Sequence, residues 1–164
     1  MAIKPAGPHS GEARRPHLAA ARVILNRNAT ATWRGSPAEG TGTLTTGSKA
    51  LSDARYATCS ADGSTTCAEE LLAAAVAVCF ASELAKGLHL AGLCAELIES
   101  SVIVGADETA ADASISYLQL NVRAKVPTLS QDQFIQAALA AKASSRVARL
   151  LKTTISMTAS LEAV

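Results

Sequence analysis

Aromatic side chains are scarce in this chain. One Trp, two Tyr and two Phe make up 3% of its 164 residues, although 49% of them are hydrophobic. Ala, Leu, Val and Ile must therefore build the core, and each buries little area. That composition suits close helix packing, or a subunit that completes its core against a partner. Charge of one sign is lacking as well: 15 basic and 14 acidic residues leave a formal net charge of +1. Phosphate-backbone binding needs a concentrated basic surface, and single-strand binding usually adds stacking aromatics. Neither is present, which argues against a nucleic-acid partner. No Cys-x-x-Cys pair occurs among Cys59, Cys67, Cys79 and Cys94, and His9, His17 and His89 cluster with none of them, so no metal site is expected. No glycine-rich phosphate loop and no Ser/His/Asp arrangement points to a cofactor or a hydrolytic triad, and no cofactor is expected.

Residues 1–18 carry Pro5, Pro8, Pro16, two glycines and several charges but no apolar run. They read as a disordered tail ahead of a single domain over 19–164, not as a secretory signal or membrane anchor. Four cysteines without a signal segment read as reduced thiols in the cytoplasm.

Within the domain, Ala29, Ala31 and Trp33 alternate with Thr30, Thr32 and Arg34, the period of a half-buried strand. A turn at Gly35-Ser36-Pro37 and a threonine-rich run over Thr41–Thr46 complete an opening hairpin. A polar stretch follows, with a short strand near Arg55–Thr58. From Ala68 to Leu90 there is no proline, and Leu71 to Ser82 has no charge, so a helix buried on every side is expected. Glu83 and Lys86 end the uncharged stretch well short of a membrane span of ~20 residues. Thr66 and Glu69 are spaced as a capping box at its start. Ile98–Val104 reads as a strand, and Ile115–Val126 as a clearer one, its apolar and polar residues alternating until Pro127. Ser130 and Gln133 form a second capping-box pattern, opening a helix through Ala141. A further helical stretch, Ser145–Lys152, leads into a strand over Thr154–Leu161. The order β-β-(β)-α-β-β-α-α-β segregates strands from helices, which argues an α+β domain with mainly antiparallel sheet.

Cys79 lies centrally in the uncharged helix. A free cysteine in a core is ordinarily a small hydrophobe, and reactivity requires a neighbouring cation or hydrogen-bond donors. Cys67 would fall in the first turn of the same helix, where the dipole favours a thiolate; as an incidental surface thiol it would do nothing.

The segment Glu69-Glu-Leu-Leu-Ala-Ala-Ala-Val-Ala-Val-Cys79-Phe80 resembles the signature of the OsmC/Ohr hydroperoxide-reductase family, Asn-Pro-Glu-Glu-Leu-x-x-Ala-Ala-His-Ala-Ala-Cys-Phe. Ala29-Thr-Ala-Thr-Trp33-Arg-Gly35 and Gly40-Thr-Gly42-Thr-Leu-Thr-Thr46 resemble that family's opening, and Ser145-Arg-Val-Ala-Arg-Leu-Leu-Lys152 falls where it has Cys-Pro-Val-Ser-x-x-Leu-Lys. The resemblance covers about residues 28 to 162. It implies mainly antiparallel sheets wrapped around a central buried helix, as an intertwined homodimer. It further implies thiol-dependent reduction of organic hydroperoxides, with Cys79 as peroxidatic nucleophile, a glutamate at Glu69 and an arginine organising the thiolate, and a dithiol such as a dihydrolipoyl group as reductant.

This sequence departs from the pattern at four points. Ser145 stands at the resolving cysteine and Arg146 at the proline after it. Val76 replaces the helix histidine, and Cys67-Ala68 replaces Asn-Pro. The loop that carries the arginine is shorter, leaving Arg55 and Arg34 as candidates. A one-cysteine peroxidase is the expected result; the alternatives are a catalytically degenerate dimer with a binding or structural role, and a once-oxidised redox sensor. Ten residues at ~1.5 Å rise put Glu69 roughly 15 Å from Cys79, so any contact between them must come from a chain bend or, better, from an antiparallel partner helix in a dimer.

Overall fold

A computed structural model describes residues 26–58, 64–107 and 114–162; the expected tail over 1–18 lies outside them. The chain opens with three antiparallel strands, β1 (Ala29–Arg34), β2 (Thr41–Thr46) and β3 (Ala54–Tyr56), in the order β1-β2-β3. The threonines of β1 and β2 favour extended backbone here, and the register places Trp33 opposite Gly42 and Gly42 opposite Tyr56. The Tyr56 ring lies over Gly42, where an added Cβ would approach it to 2.3 Å, and it stands 5.7 Å from the Trp33 ring. This row of two aromatics across a glycine holds the small sheet together. All of β1 except Trp33 is exposed.

The second sheet is built from β4 (Leu97–Asp107), β5 (Ser114–Lys125) and β6 (Thr154–Leu161). β4 and β5 are antiparallel, with a register shift at Gly105/Ala106. β6 lies parallel to β5, and α2 (Gln131–Ser144) makes the crossover that parallel neighbours need. Strand β5 alternates as its sequence predicts: Leu118, Leu120, Val122 and Ala124 are buried on one face.

The long helix α1 (Ala68–Leu90) packs on β4 and α2. Its Val76, Phe80, Leu84 and Leu88, spaced four apart, form one buried stripe. With Leu120, Val122, Ala124 and Val126 from the sheet and Phe134, Ala138 and Ala141 from α2, this stripe makes the core. The expectation of burial on every side is met only along that stripe. Val78 is 67% and Leu90 77% exposed on the opposite side. By length and composition alone α1 is apolar enough to cross a membrane; in this fold its buried stripe faces protein.

The helix ends divide the sequence reading. Ser130 caps α2 as its pattern predicts, with the Ser130 hydroxyl accepting from the Gln133 N–H and the Gln133 side chain accepting from the Ser130 N–H. The box at Thr66 and Glu69 does not form. Cys67 is the cap residue and makes no side-chain cap bond, and the Thr66 hydroxyl donates to the Glu70 carboxylate instead, 2.8 Å away. The helix expected over Ser145–Lys152 is a single 3-10 turn, Ala148–Leu150, because Ser145 takes extended backbone (ψ 116°) and breaks the chain direction at the end of α2.

Two α2 side chains close the free edge of β6. The Gln131 amide donates to the Ala159 carbonyl (2.9 Å) and accepts from the Leu161 N–H (2.8 Å), and the Lys142 ammonium donates to the Ile155 carbonyl.

Candidate active site

Cys79 sits next to Phe80 on α1, at the margin of the buried stripe, half-buried and free. The end of α2 delivers Ser145 to it. Ser145 is fully buried, and its hydroxyl donates to the Cys79 sulfur at 3.3 Å. The same oxygen accepts from the Ala148 N–H (3.4 Å), and the Ser145 carbonyl accepts from the Arg149 N–H (3.1 Å). Ser145 thus caps a new helical turn, and the first N–H groups of such a turn have no partner within it. Those of Arg146 and Val147 act on Cys79 and lower its pKa. Extended backbone at Ser145 makes this possible, since a continuous helix would commit both N–H groups to its own carbonyls.

The electrostatics follow from that seating. Burial by itself raises the Cys79 thiol. The Ser145 hydroxyl, the Val147 and Arg146 N–H groups and the Arg146 charge together outweigh it, and the thiol titrates below the ordinary range. The thiolate, the nucleophilic form, is favoured.

The expected site residues are therefore divided. Cys79 and Ser145 are brought together. Glu69, in the first turn of α1, and Arg55, on β3, are not among the groups acting on Cys79 in the described residues, and neither is Arg34 at the end of β1. The cation beside the thiol is Arg146, which sequence reasoning treated as a substitution for a proline. The available signal was its place next to Ser145. Cys67 is buried and disulfide-bonded, with a partner outside the described residues, so the reading of reduced thiols fails there and Cys67 is no free thiol of the first turn. No group of three or more His, Cys, Asp or Glu side chains among the described residues is arranged to hold a metal.

The family model described as OsmC-like protein matches residues 61–160, which includes α1, Cys79 and the Ser145 turn. The chain belongs to the OsmC-like family. Solved structures agree on the fold of an OsmC-like protein. One from Mycoplasma pneumoniae superposes with a TM-score of 0.73 at 9% identity, covering 86% of this chain and 100% of that one. An organic hydroperoxide resistance protein from Legionella pneumophila gives 0.62 at 16%, covering 87% and 100%. The organic hydroperoxide resistance protein OhrB of Bacillus subtilis gives 0.56 at 19%, covering 82% and 98%. Comparison with curated protein sequences finds no match.

Proposed function

We propose that this OsmC-like protein reduces organic hydroperoxides with Cys79 as the nucleophile, as a one-cysteine enzyme. The observation that carries this reading is the seating of the Cys79 sulfur on the Ser145 hydroxyl and the two N–H groups that follow it. The thiolate attacks the distal peroxide oxygen, the O–O bond breaks, and the alkoxide leaves as alcohol after taking a proton, giving the Cys79 sulfenic acid. Ser145 cannot form a disulfide, so an external thiol must restore the enzyme, for which a dithiol such as a dihydrolipoyl group is suited. The organic hydroperoxide resistance proteins among the structural neighbours support the substrate class.

A homodimer belongs to the same reading. The exposed apolar side of α1 and the exposed β1 strand are surfaces a second copy would cover, and an antiparallel pairing of α1 helices is the route by which Glu69 would approach a Cys79. We place the enzyme in the cytoplasm, with the Cys67 disulfide as the feature that speaks against a fully reducing surrounding.

The test is limiting cumene hydroperoxide followed by peptide mass spectrometry, with turnover measured in parallel for the wild type and Ser145→Cys. Sulfenic or sulfinic acid should appear at Cys79 before Cys94. The sulfur of Ser145→Cys would start about where an oxygen now lies 3.3 Å from Cys79, so this variant should form a disulfide and survive more turnovers with dihydrolipoamide. Preferential oxidation of Cys94 with Cys79 untouched would favour the catalytically degenerate dimer instead.

A further inference from the structure

Among the large hydrophobic side chains of the described residues, Leu150 is the most exposed, at 82%. It ends the turn Ala148–Leu150 that joins α2 to β6. A single exposed leucine is ordinary; the company of this one is not. Arg149 precedes it, Lys152 follows it closely, and Arg146 stands just ahead of the turn. All three are exposed, and none of the ion pairs among the described residues includes them. Arg149 also lines a groove with Lys142 over Leu139, Ala143 and Ile155, which carries the same surface onto α2, where Leu139 is exposed.

Carboxylates are held away from this corner. Between Asp132 and Glu162 the chain has none. The Gln131 amide bonds β6 at Ala159 and Leu161, so the start of α2 lies beside the end of β6, and both bracketing acids belong to that far end. The rise of α2, ~1.5 Å per residue, puts Asp132 about 20 Å from Ser145. Glu162 is also paired with Arg123. Asp107, the sheet's described carboxylate at the near end, stands on β4, with β5 between it and β6. Elsewhere the pattern is the opposite: Lys86, Arg123 and Lys125 each have a carboxylate partner.

We propose that the turn Ala148–Leu150, with Arg146, Arg149 and Lys152 flanking Leu150, docks this protein reversibly on an anionic lipid bilayer. The inference is independent of the chemistry at Cys79. A soluble anion would answer the charges alone; the boundary between headgroups and acyl chains answers the charges and Leu150 together. Each cation close to an anionic leaflet strengthens binding about fivefold. Entry of Leu150 into the boundary adds the removal of an apolar side chain from water. Neither signal suffices, since one apolar anchor holds a protein only marginally and an anchor with a basic patch holds it well.

The test is co-sedimentation of the full chain with vesicles, either pure phosphatidylcholine or equal parts phosphatidylcholine and phosphatidylglycerol. At low salt the wild type should partition at least about tenfold more strongly onto the mixed vesicles. That advantage should largely vanish at about 1 M salt, where the screening length is ~3 Å. Arg149→Gln and Lys152→Gln should each weaken binding about fivefold, and Leu150→Ser about tenfold. Ile103→Ser, at an exposed apolar residue of β4, should bind as the wild type does. Equal partition onto the two vesicles, or binding to neither, would overturn the proposal. So would undiminished binding by Leu150→Ser, which would mark an attraction of charge alone, such as an acidic protein would exert. A loss in Ile103→Ser as large as in Leu150→Ser would place the contact on β4 and overturn it too. The lipid and salt series use the wild type, so a folding defect in a variant leaves the test intact.

Discussion

The two sheets of this protein have three strands each and differ in what they lean on. The second sheet lies under α1 and α2 and shares with them a core containing both phenylalanines, Phe80 and Phe134. The first sheet, β1 to β3, packs on none of the other elements to any comparable degree among the described residues, and β1 leaves all but Trp33 in solvent. Three short strands with one aromatic row bury too little area to be stable alone. The contrast teaches that the core is built by the second sheet with the two helices, and that the first sheet is an arm beside it. The OsmC-like match begins at residue 61, just past that arm.

The largest effect should come from the core. Phe134→Ala should cost about 3–5 kcal/mol in urea unfolding, whereas Trp33→Ala, assayed in protein dilute enough to keep copies apart, should cost under about 1 kcal/mol. Comparable losses from the two would show that the arm is part of the core, and would end the contrast.

A middle-sized effect concerns the thiol, which lies wholly within the packed region. Ser145→Ala removes a donor to Cys79 and an acceptor for the Ala148 N–H, and should slow alkylation of Cys79 by iodoacetamide roughly tenfold at neutral pH, on the scale of a hydrogen bond to a charged group. Arg55→Ala, in the arm, should slow it much less, and an equal loss would mean that the arm reaches the site. The pH dependence has a definite sign. The folded thiol is a stronger acid than the unfolded one, so its stabilising contribution is complete above the unfolded thiol's range and is lost as pH falls through the folded pKa. In Ser145→Ala both the alkylation profile and this loss should move to higher pH.

The smallest effect on the protomer, and the most informative for assembly, is Val78→Glu. At 67% exposure a carboxylate there should change protomer stability by no more than about 0.5 kcal/mol. If a second copy covers α1, light scattering should nonetheless show the assembly lost. A dimer that withstands this substitution would place its interface elsewhere, and the exposed β1 strand of the arm is the next surface to vary.

Much of this was legible in the sequence because the relevant patterns are local. The alternation of Leu118 to Val126 gives β5, the proline-free apolar run gives α1, and Ser130 with Gln133 gives the start of α2. Pairing is not local: nothing in Thr154–Leu161 says that it lies parallel to β5. The site was half legible. Cys79 and Ser145 stand out by resemblance, but their hydrogen bond depends on one ψ angle at Ser145, and composition favoured a continued helix there. The cation was sought in the arm, at Arg55 and Arg34, because the change of chain direction that brings Arg146 to the sulfur has no signature in spacing.

The Gln131 side chain has a consequence beyond the stability of β6. Its amide offers that strand one donor and one acceptor in the places where the peptide group of a further strand would stand, and Lys142 occupies another carbonyl of the same edge. An open edge is a template on which a neighbouring molecule's strand can add, and repeated addition leads to fibres. Here the template already carries its own chemical imitation of a strand, supplied by a helix that is linked covalently and never diffuses away. That occupancy disfavours the addition of a neighbouring copy's strand at those positions of β6.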